Sequence, residues 1–241
     1  MIRIPILRRA STDPFPPLAS ALDQPNGLLA AGGDLAPSRL LDAYRQGIFP
    51  WYSDGQPILW WSPDPRMVFR TRQMHVPRRL ARWLRRCPWQ LRADTDFRGV
   101  MGACAEPRLH QDGTWITAEM TEAFLQLHAL GHAHSIEVIA DGELIGGIYG
   151  LAIGRMFFGE SMFSRVDHAS KVALLGLTQL MVQWDWPLLD AQVSSAHLET
   201  LGGVEMPRTE FARELAILVA RPGKSGSWRD VVLLPQPCEL V

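Results

Sequence analysis

The sequence predicts an α+β protein in which a small N-terminal domain precedes a larger domain with a mostly antiparallel sheet. Residues 11–37 are rich in Pro, Gly and Asp, which favour turns and irregular structure. From residue 134 to residue 163 the pattern alternates and contains many β-branched and aromatic side chains, which is typical of strands. Residues 169–183 are almost wholly apolar and predict a buried helix.

The composition indicates a folded, soluble protein. The chain has 241 residues, of which 47% are hydrophobic, and this is enough for a sizeable core. Its 24 basic and 25 acidic side chains nearly cancel, so contact with a polyanion requires a local cluster of charge. Cys87, Cys104 and Cys238 lack the spacing of a cysteine zinc site and fit reduced thiols. Because the N-terminal segment contains no apolar stretch of signal-peptide length, we expect a cytoplasmic protein.

The N-terminal domain is predicted to span residues 1–62, and the second domain residues 63–241. The segment 37–52 begins with a predicted helix, for which Ser38 is a candidate N-cap and Gly47 a stop signal. Prolines interrupt the extended segment that follows, and we place the domain boundary there.

The second domain is predicted to open with a basic amphipathic helix at residues 76–87. Leu80, Trp83 and Leu84 share one face of this helix. The arginines that are candidates for phosphate contact are Arg78, Arg79, Arg82, Arg85 and Arg86. Such a stripe suits RNA, although many basic helices only solvate a surface.

Two helices, at residues 95–104 and 117–130, precede a predicted meander of three antiparallel strands. Turns are predicted at Asp141-Gly142 and at Gly154-Arg155. The buried helix follows, and then a short buried strand at residues 188–194. This order of strands and helix is typical of the GNAT-like acyltransferase fold, by analogy of pattern.

A carboxylate and a hydroxyl lie side by side at Glu160 and Ser161. A serine nucleophile elbow requires glycine two residues after the serine, and Phe163 is there instead. Strand alternation puts Phe158, Glu160 and Met162 on one face and Ser161 on the other. We therefore interpret Ser161 as structural. Glu160, among apolar neighbours, is either ion-paired or a site residue, because an isolated buried carboxylate is costly.

Asp190 and Gln192 are two residues apart in a predicted strand, so alternation puts both on one face. An Asp that hydrogen-bonds the Gln amide would let the amide oxygen orient an attacking amine. The pair by itself is weak support for catalysis.

Two other kinds of site are disfavoured. The connection at residues 164–171 contains no glycine, so it lacks the glycine-rich loop that binds the pyrophosphate of coenzyme A in GNAT-like proteins. His132 and His134 have no evident third ligand, so we predict no metal and interpret them as residues at the start of a strand.

Seven short motifs occur in order over residues 14–211. They are NGLLAAGGDL (26–35), AYRQGIFPWY (43–52), ILWWSPDPR (58–66), GTWIT (113–117), GESMFS (159–164), ASKVAL (169–174) and HLETLGG (197–203). Together they resemble the leucyl/phenylalanyl-tRNA-protein transferase family. The resemblance implies a small N-terminal domain, a GNAT-like C-terminal domain, and transfer of Leu, also Phe, from its tRNA to the N-terminal Lys or Arg of a protein, which is thereby marked for degradation. It implies no metal or other cofactor, because the aminoacyl ester is already activated, and we expect a monomer.

The resemblance also assigns roles by matching position. Asp190, Gln192 and Glu160 match catalytic positions for ester aminolysis, in which Gln192, polarised by Asp190, would position the attacking amine. The residues expected to bind the aminoacyl-adenosine end are Tyr44, Trp51, Trp115, Ile148, Met162, Leu174, Leu177, Met181 and Leu189. The arginine stripe matches the region that holds the tRNA.

Two positions depart from the family pattern. Ala191 replaces a cysteine between Asp190 and Gln192, and we expect no effect if its side chain faces away from the pair, as strand alternation predicts. Ile139 replaces a common tryptophan, so the preference between Leu and Phe stays open. Two other functions are also open at this point: a coenzyme A-dependent N-acetyltransferase, and a non-catalytic tRNA-binding module.

Overall fold

The computed structural model describes residues 4–106, 115–229 and 234–240, and it contains two sheets. The first sheet consists of β1 (Ile6–Leu7), β2 (Leu28–Gly32), β3 (Phe49–Pro50) and β4 (Leu59–Trp61), in the order β1-β2-β4-β3. Helix α1 (Pro37–Arg45) lies between β2 and β3 in the chain.

The second sheet has seven strands in the order β11-β5-β10-β9-β8-β7-β6. They are β5 (Arg66–Arg70), β6 (Gln90–Ala93), β7 (Ala133–Ala140), β8 (Glu143–Ile153), β9 (Met156–Ser164), β10 (Leu188–Gln192) and β11 (Val204–Met206). The helices that follow α1 are α2 (Arg78–Leu84), α3 (Phe97–Ala105), α4 (Ala118–Ala129), α5 (Ala169–Gln183), α6 (Ala196–Glu199) and α7 (Arg208–Val219). Within the described residues, no helix is long and apolar enough to cross a membrane.

The predicted α+β class and the predicted meander are confirmed. Strands β7, β8 and β9 pair antiparallel, and their turns lie at Asp141-Gly142 and Gly154-Arg155. Helix α5 then crosses over, so β10 pairs parallel to β9, while the other neighbours in this sheet are antiparallel. Three antiparallel strands, a buried helix and a further strand thus follow one another along the chain, as in the GNAT-like pattern that the sequence predicted.

Two core clusters cover the faces of the large sheet. One contains side chains of α3 and α4 together with Trp60 of the first sheet, and the other contains the apolar residues of α5. The first sheet ends at Trp61 and the second begins at Arg66, but one core cluster includes residues of both. The division at residues 62 and 63 therefore stays a prediction.

The helix ends differ from expectation in one place. Ser38 is not the N-cap of α1, because the helix already begins at Pro37, whose fixed φ suits the first helical position. Thr117 caps α4 as expected, since its side chain accepts a hydrogen bond from the backbone N–H of Met120. In α2, Leu80 and Leu84 are buried, which confirms the amphipathic pattern.

Close packing of α5 on β8 requires a glycine, and this yields a stability prediction. A Cβ at Gly146 would lie 2.4 Å from the Cβ of Ala169, whereas a Cβ at Gly102, an exposed position of α3, would meet nothing within 4 Å. We expect Gly146→Ala to destabilise the protein by about 1–3 kcal/mol through overpacking. Gly102→Ala should stabilise it by about 0.5–1 kcal/mol, because alanine loses less backbone entropy. Urea unfolding measures both, and equal effects of the two changes would contradict this packing.

Candidate functional site

A β-bulge places Glu160 at the site. The ladder between β8 and β9 shifts register here, so that Glu160 is the extra residue, and a Cβ at Gly150 would lie 2.0 Å from the carbonyl oxygen of Phe158. Phe158, before the bulge, belongs to the core cluster with α3 and α4, whereas Met162, after it, packs against the cluster with α5. The prediction that Phe158, Glu160 and Met162 share one face is therefore wrong, because a bulge reverses the alternation.

A second bulge lies in β10, where Ala191 is the extra residue opposite β5 and Gln192 adopts a positive φ of 64°. The backbone N–H of Gln192 donates to Asp190 Oδ1 at 2.9 Å, while its side-chain Nε2 donates to Glu160 Oε1 at 2.7 Å. The expected hydrogen bond between Asp190 and the side-chain amide of Gln192 is therefore replaced by these two hydrogen bonds. Asp190 holds the backbone of Gln192, and Glu160 holds its amide.

Glu160 is the point at which these side chains meet. Its Oε1 accepts hydrogen bonds from Tyr44 Oη at 2.6 Å and from Gln192 Nε2 at 2.7 Å. Its Oε2 is buried and has no hydrogen-bond partner among the described residues. Burial raises the pKa of Glu160 to about 8, the charge of Asp190 adds to this, and the two hydrogen bonds and the charge of Arg66 oppose it. The half-buried Glu160, with this raised pKa and an oxygen without a partner, is suited to exchange a proton near neutral pH.

Arg66 is a residue of this site that the sequence pattern did not single out. Its Nε and Nη2 donate to Asp190 Oδ1 and Oδ2 at 2.8 and 2.6 Å, and both side chains are fully buried. Its Nη1 donates to the carbonyl oxygen of Gly47 at 3.1 Å, and the guanidinium lies 4.8 and 4.7 Å from the rings of Phe49 and Phe211. The available signal was an arginine at the first position of the strand β5, directly before three apolar residues.

A cavity of about 700 Å³ opens where β9 and β10 cease to pair, beyond Phe158 and Asp190. Its lining includes Glu160 and five of the predicted aminoacyl-binding residues, which are Trp115, Ile148, Met162, Leu174 and Leu189. Leu177 and Met181, which were also predicted to bind the aminoacyl group, do not line this cavity. They are fully buried in the core cluster that contains the apolar residues of α5.

A smaller pocket of about 260 Å³ adjoins the cavity, since Glu160 and Trp115 line both. Trp51, 43% exposed, and Gln192 also line the smaller pocket. The structure thus brings together two of the predicted aromatic residues at the two cavities, while Tyr44 is buried beneath them and contacts Glu160. Gly113 and Thr114, which precede Trp115 in its motif, lie outside the described residues.

The arginine stripe lies on the exposed side of α2. Arg78, Arg79, Arg82, Arg85 and Arg86 are exposed and make no ion pair with any described residue. The ring of Trp83 lies 5.2 Å from that of His168, which directly precedes α5. The basic helix α2 therefore lies beside the start of α5. Ser170 and Leu174 of α5 form part of the wall of the large cavity.

The histidine pair has a structural environment. His134 is buried, its Nδ1 is 2.8 Å from Asp94 Oδ2, and its ring stacks on Trp228 with centroids 3.8 Å apart. His132 is partly exposed. The described parts of the chain contain no group of three or more His, Cys, Asp or Glu residues placed to hold a metal ion.

Comparison with known proteins gives consistent matches along the chain. Residues 68–216 match the family model of leucyl/phenylalanyl-tRNA protein transferase, and residues 33–64 match the model of the N-terminal domain of that family. A leucyl/phenylalanyl-tRNA–protein transferase of Xanthomonas axonopodis pv. citri is 58% identical over 218 residues, which are 90% of this chain and 88% of the relative. One of Nitrosomonas europaea is 54% identical over 218 residues, which are 90% of this chain and 92% of the relative.

Solved structures give weaker matches. A ribosomal-protein-alanine N-acetyltransferase of Brucella melitensis aligns with a TM-score of 0.35 and 13% identity, covering 59% of this chain and 96% of that one. L-PGS of Bacillus licheniformis aligns with a TM-score of 0.40 and 10% identity, covering 72% of this chain and 56% of that one. At these scores the description of the fold rests on the strand order above.

The raised pKa of Glu160 predicts a stability effect that depends on pH. The folded-state pKa, about 8, lies above the ordinary value of 4.5, so the wild-type protein loses stability as pH rises between these two values. Glu160→Gln removes this loss, and its stability relative to wild type should grow by up to about 1.4 kcal/mol per pH unit in that interval. Denaturant unfolding across this range measures the difference, with Glu143→Gln, at an exposed strand end, as control. A difference that does not vary with pH would contradict the assignment.

Proposed function

The chain belongs to the leucyl/phenylalanyl-tRNA protein transferase family, and we propose that it transfers Leu, and also Phe, from charged tRNA to the N-terminal Lys or Arg of an acceptor protein. It is an aminoacyltransferase. The observation that carries this proposal is a cavity of about 700 Å³, one wall of which is apolar, that reaches Glu160, whose Oε2 is buried and has no hydrogen-bond partner among the described residues. An apolar side chain fits the cavity, and the ester to be broken then lies near the carboxyl.

The reaction is the aminolysis of an ester. The α-amine of the acceptor attacks the aminoacyl carbonyl carbon, a tetrahedral oxyanion forms, and the ribose hydroxyl of the tRNA leaves as the amide bond is made. A protonated α-amine must first lose a proton, and its ordinary pKa of about 7.7–8.0 is close to that of Glu160. That first proton goes to solvent. The nitrogen loses a second proton as the amide forms, and Glu160, with a pKa of about 8, is suited to accept this second proton and to return it to the leaving ribose oxygen.

Gln192 is proposed to position the acceptor amine. Its amide nitrogen is used by Glu160 Oε1, which leaves the amide oxygen to accept a hydrogen bond from the amine. A neutral amide is too weak a base to take the proton itself. The contribution of Gln192 to the rate is therefore orientation of the nucleophile.

The aminoacyl side chain is proposed to bind among Ile148, Met162, Leu174 and Leu189, which line the large cavity. These are aliphatic or flexible side chains, and Met162 in particular can adapt to both Leu and Phe. Trp51 and Trp115 flank the adjoining smaller pocket, where an adenine ring can stack. The donor ester would thus lie across the two cavities.

Two further groups of side chains support the assignment of partners. Glu106 and Glu160 are the carboxylates among the described residues that line the large cavity, and Glu106, paired with Arg165 at 3.0 Å, is proposed to attract the cationic side chain of the acceptor. The arginine stripe of α2 is proposed to hold phosphates of the tRNA. We propose that the enzyme works as a cytoplasmic monomer and needs no cofactor, because the ester is already activated.

A transfer assay tests the function. With labelled leucyl-tRNA, we expect incorporation into a peptide with N-terminal Arg and little into the matched peptide with N-terminal Ala. Ribonuclease treatment of the donor should abolish it. Incorporation that survives ribonuclease, or acetylation from acetyl coenzyme A, would contradict the proposal, and tRNA binding without any transfer would favour a non-catalytic module.

The arginine stripe predicts a salt-dependent effect on tRNA binding. Arg82→Glu with Arg85→Glu should raise the KM for charged tRNA roughly tenfold, with little change in kcat, and lower the slope of log affinity against log salt by about 2. Arg213→Glu with Arg221→Glu, a change of equal charge at exposed positions in and after α7, is the control. Equal effects of the two double variants would show that only net charge matters.

A further inference from the structure

Arg66 and Asp190 form a fully buried ion pair behind the site. We propose that Arg66 is a positioning residue of the transfer reaction. Through its hydrogen bonds to Asp190 and Gly47, Arg66 keeps Gln192 and Tyr44 in place to donate hydrogen bonds to Glu160. In this arrangement Asp190 acts on the backbone of Gln192 and does not touch the substrate. The inference rests on the proposed function.

The hydrogen bonds of Asp190 account for both of its oxygens. Oδ1 accepts from Arg66 Nε and from the backbone N–H of Gln192, and Oδ2 accepts from Arg66 Nη2. The side chain is fully buried, and among the described residues it lines neither cavity, whereas Ala191 beside it lines both. The carboxylate thus has a structural partner on each oxygen.

Arg66 is linked by hydrogen bonds to the segments that carry Gln192 and Tyr44, the two residues that donate hydrogen bonds to Glu160. Through Asp190 it holds the turn at Gln192, whose positive φ is uncommon for a residue with a side chain. Through Nη1 it holds the carbonyl oxygen of Gly47, and the N–H of Gly47 donates to the carbonyl oxygen of Tyr44. Two otherwise separate segments are therefore fixed by one guanidinium.

This role requires the shape of arginine. A guanidinium presents several N–H groups in a rigid plane, so it can bind two carboxylate oxygens and a carbonyl together. The rings of Phe49 and Phe211 lie close to that guanidinium and restrict it further. An ammonium cannot reproduce this geometry. Arg66→Lys therefore keeps the charge and removes the positioning.

The charges of the pair also act on Glu160. The groups that face this carboxyl are Tyr44 from α1, Arg66 from β5, and Asp190 and Gln192 from β10. The charge of Asp190 raises the pKa of Glu160, and the charge of Arg66 lowers it. Asp190→Asn leaves the cation of Arg66 unopposed, so the pKa of Glu160 should fall. Adding Arg66→Met removes both charges and should move the pKa back toward wild type.

The experiment compares Arg66→Lys, Asp190→Asn and the double variant Arg66→Met with Asp190→Asn. The control is Arg70→Met on the same strand, because Arg70 forms an ion pair with Glu214 at 2.6 Å outside the cavities. Steady-state transfer gives kcat and KM across pH, and carbon-13 NMR of the Glu160 carboxyl gives its pKa without substrate. Denaturant unfolding shows that each variant is folded under the assay conditions.

We expect Arg66→Lys to lower kcat about tenfold or more, with KM for tRNA and peptide changed much less, because misplaced groups slow the chemical step. Asp190→Asn should shift the pKa of Glu160 downward, and the double variant should reverse that shift. Arg70→Met should lose stability and keep kcat.

Three outcomes would overturn the inference: wild-type kcat in folded Arg66→Lys, an unchanged Glu160 pKa in Asp190→Asn, or an equal loss of kcat in Arg70→Met. The NMR titration distinguishes failure of the positioning inference from failure of the proposed function. A wild-type protein without transfer activity, but with the expected shifts of the Glu160 pKa in the variants, would refute the function and would still show that the pair of Arg66 and Asp190 acts on Glu160.

Discussion

Two opposite charges, Arg66 and Asp190, lie fully buried where the segment before β3 meets the large sheet. Removing both ions from water costs several kcal/mol each, and their attraction offsets this only if the geometry is good and the remaining donors are satisfied. Here the pairing is bidentate and a third donor binds Gly47. Two apolar side chains of similar volume often stabilise a core as much as a buried ion pair does. We therefore attribute to these charges the positions of the groups that they bind, and not a gain in stability. The rest of the site is built around those positions.

The bulges at Glu160 and Ala191 turn an ordinary sheet into a site. Both lie just beyond the last residues that pair β9 with β10, which are parallel neighbours. A bulge bends its strand and redirects the following side chains. As a result, the strands part, the cavity opens between them, and polar groups of two strands and of α1 converge on one carboxyl. The apolar wall and the polar end of the cavity thus have a common origin in the backbone.

The site carries a cost in stability that its chemistry requires. A carboxyl with a pKa of about 8 is unstable as an anion in the folded protein, and its Oε2 lacks a partner among the described residues. The same burial makes it able to accept a proton from the attacking nitrogen as the amide forms. The hydrogen bonds from Tyr44 and Gln192 limit the rise of the pKa, so that the anion is still accessible near neutral pH.

The sequence by itself determined the α+β class, the meander, the helix that follows it and the basic face of α2, because each depends on local periodicity and turn residues. Its motifs also named Glu160, Gln192 and Tyr44, which the structure brings together. Only the tertiary structure decided how far along α5 the cavity extends, since Leu177 and Met181 share the apolar face of Leu174 but lie about one and two turns farther from the start of the helix. It alone revealed the partner of Asp190, 124 residues away in the chain, and the two bulges that reverse strand alternation. Periodicity describes regular elements, whereas this site is made where regular pairing stops and distant segments meet.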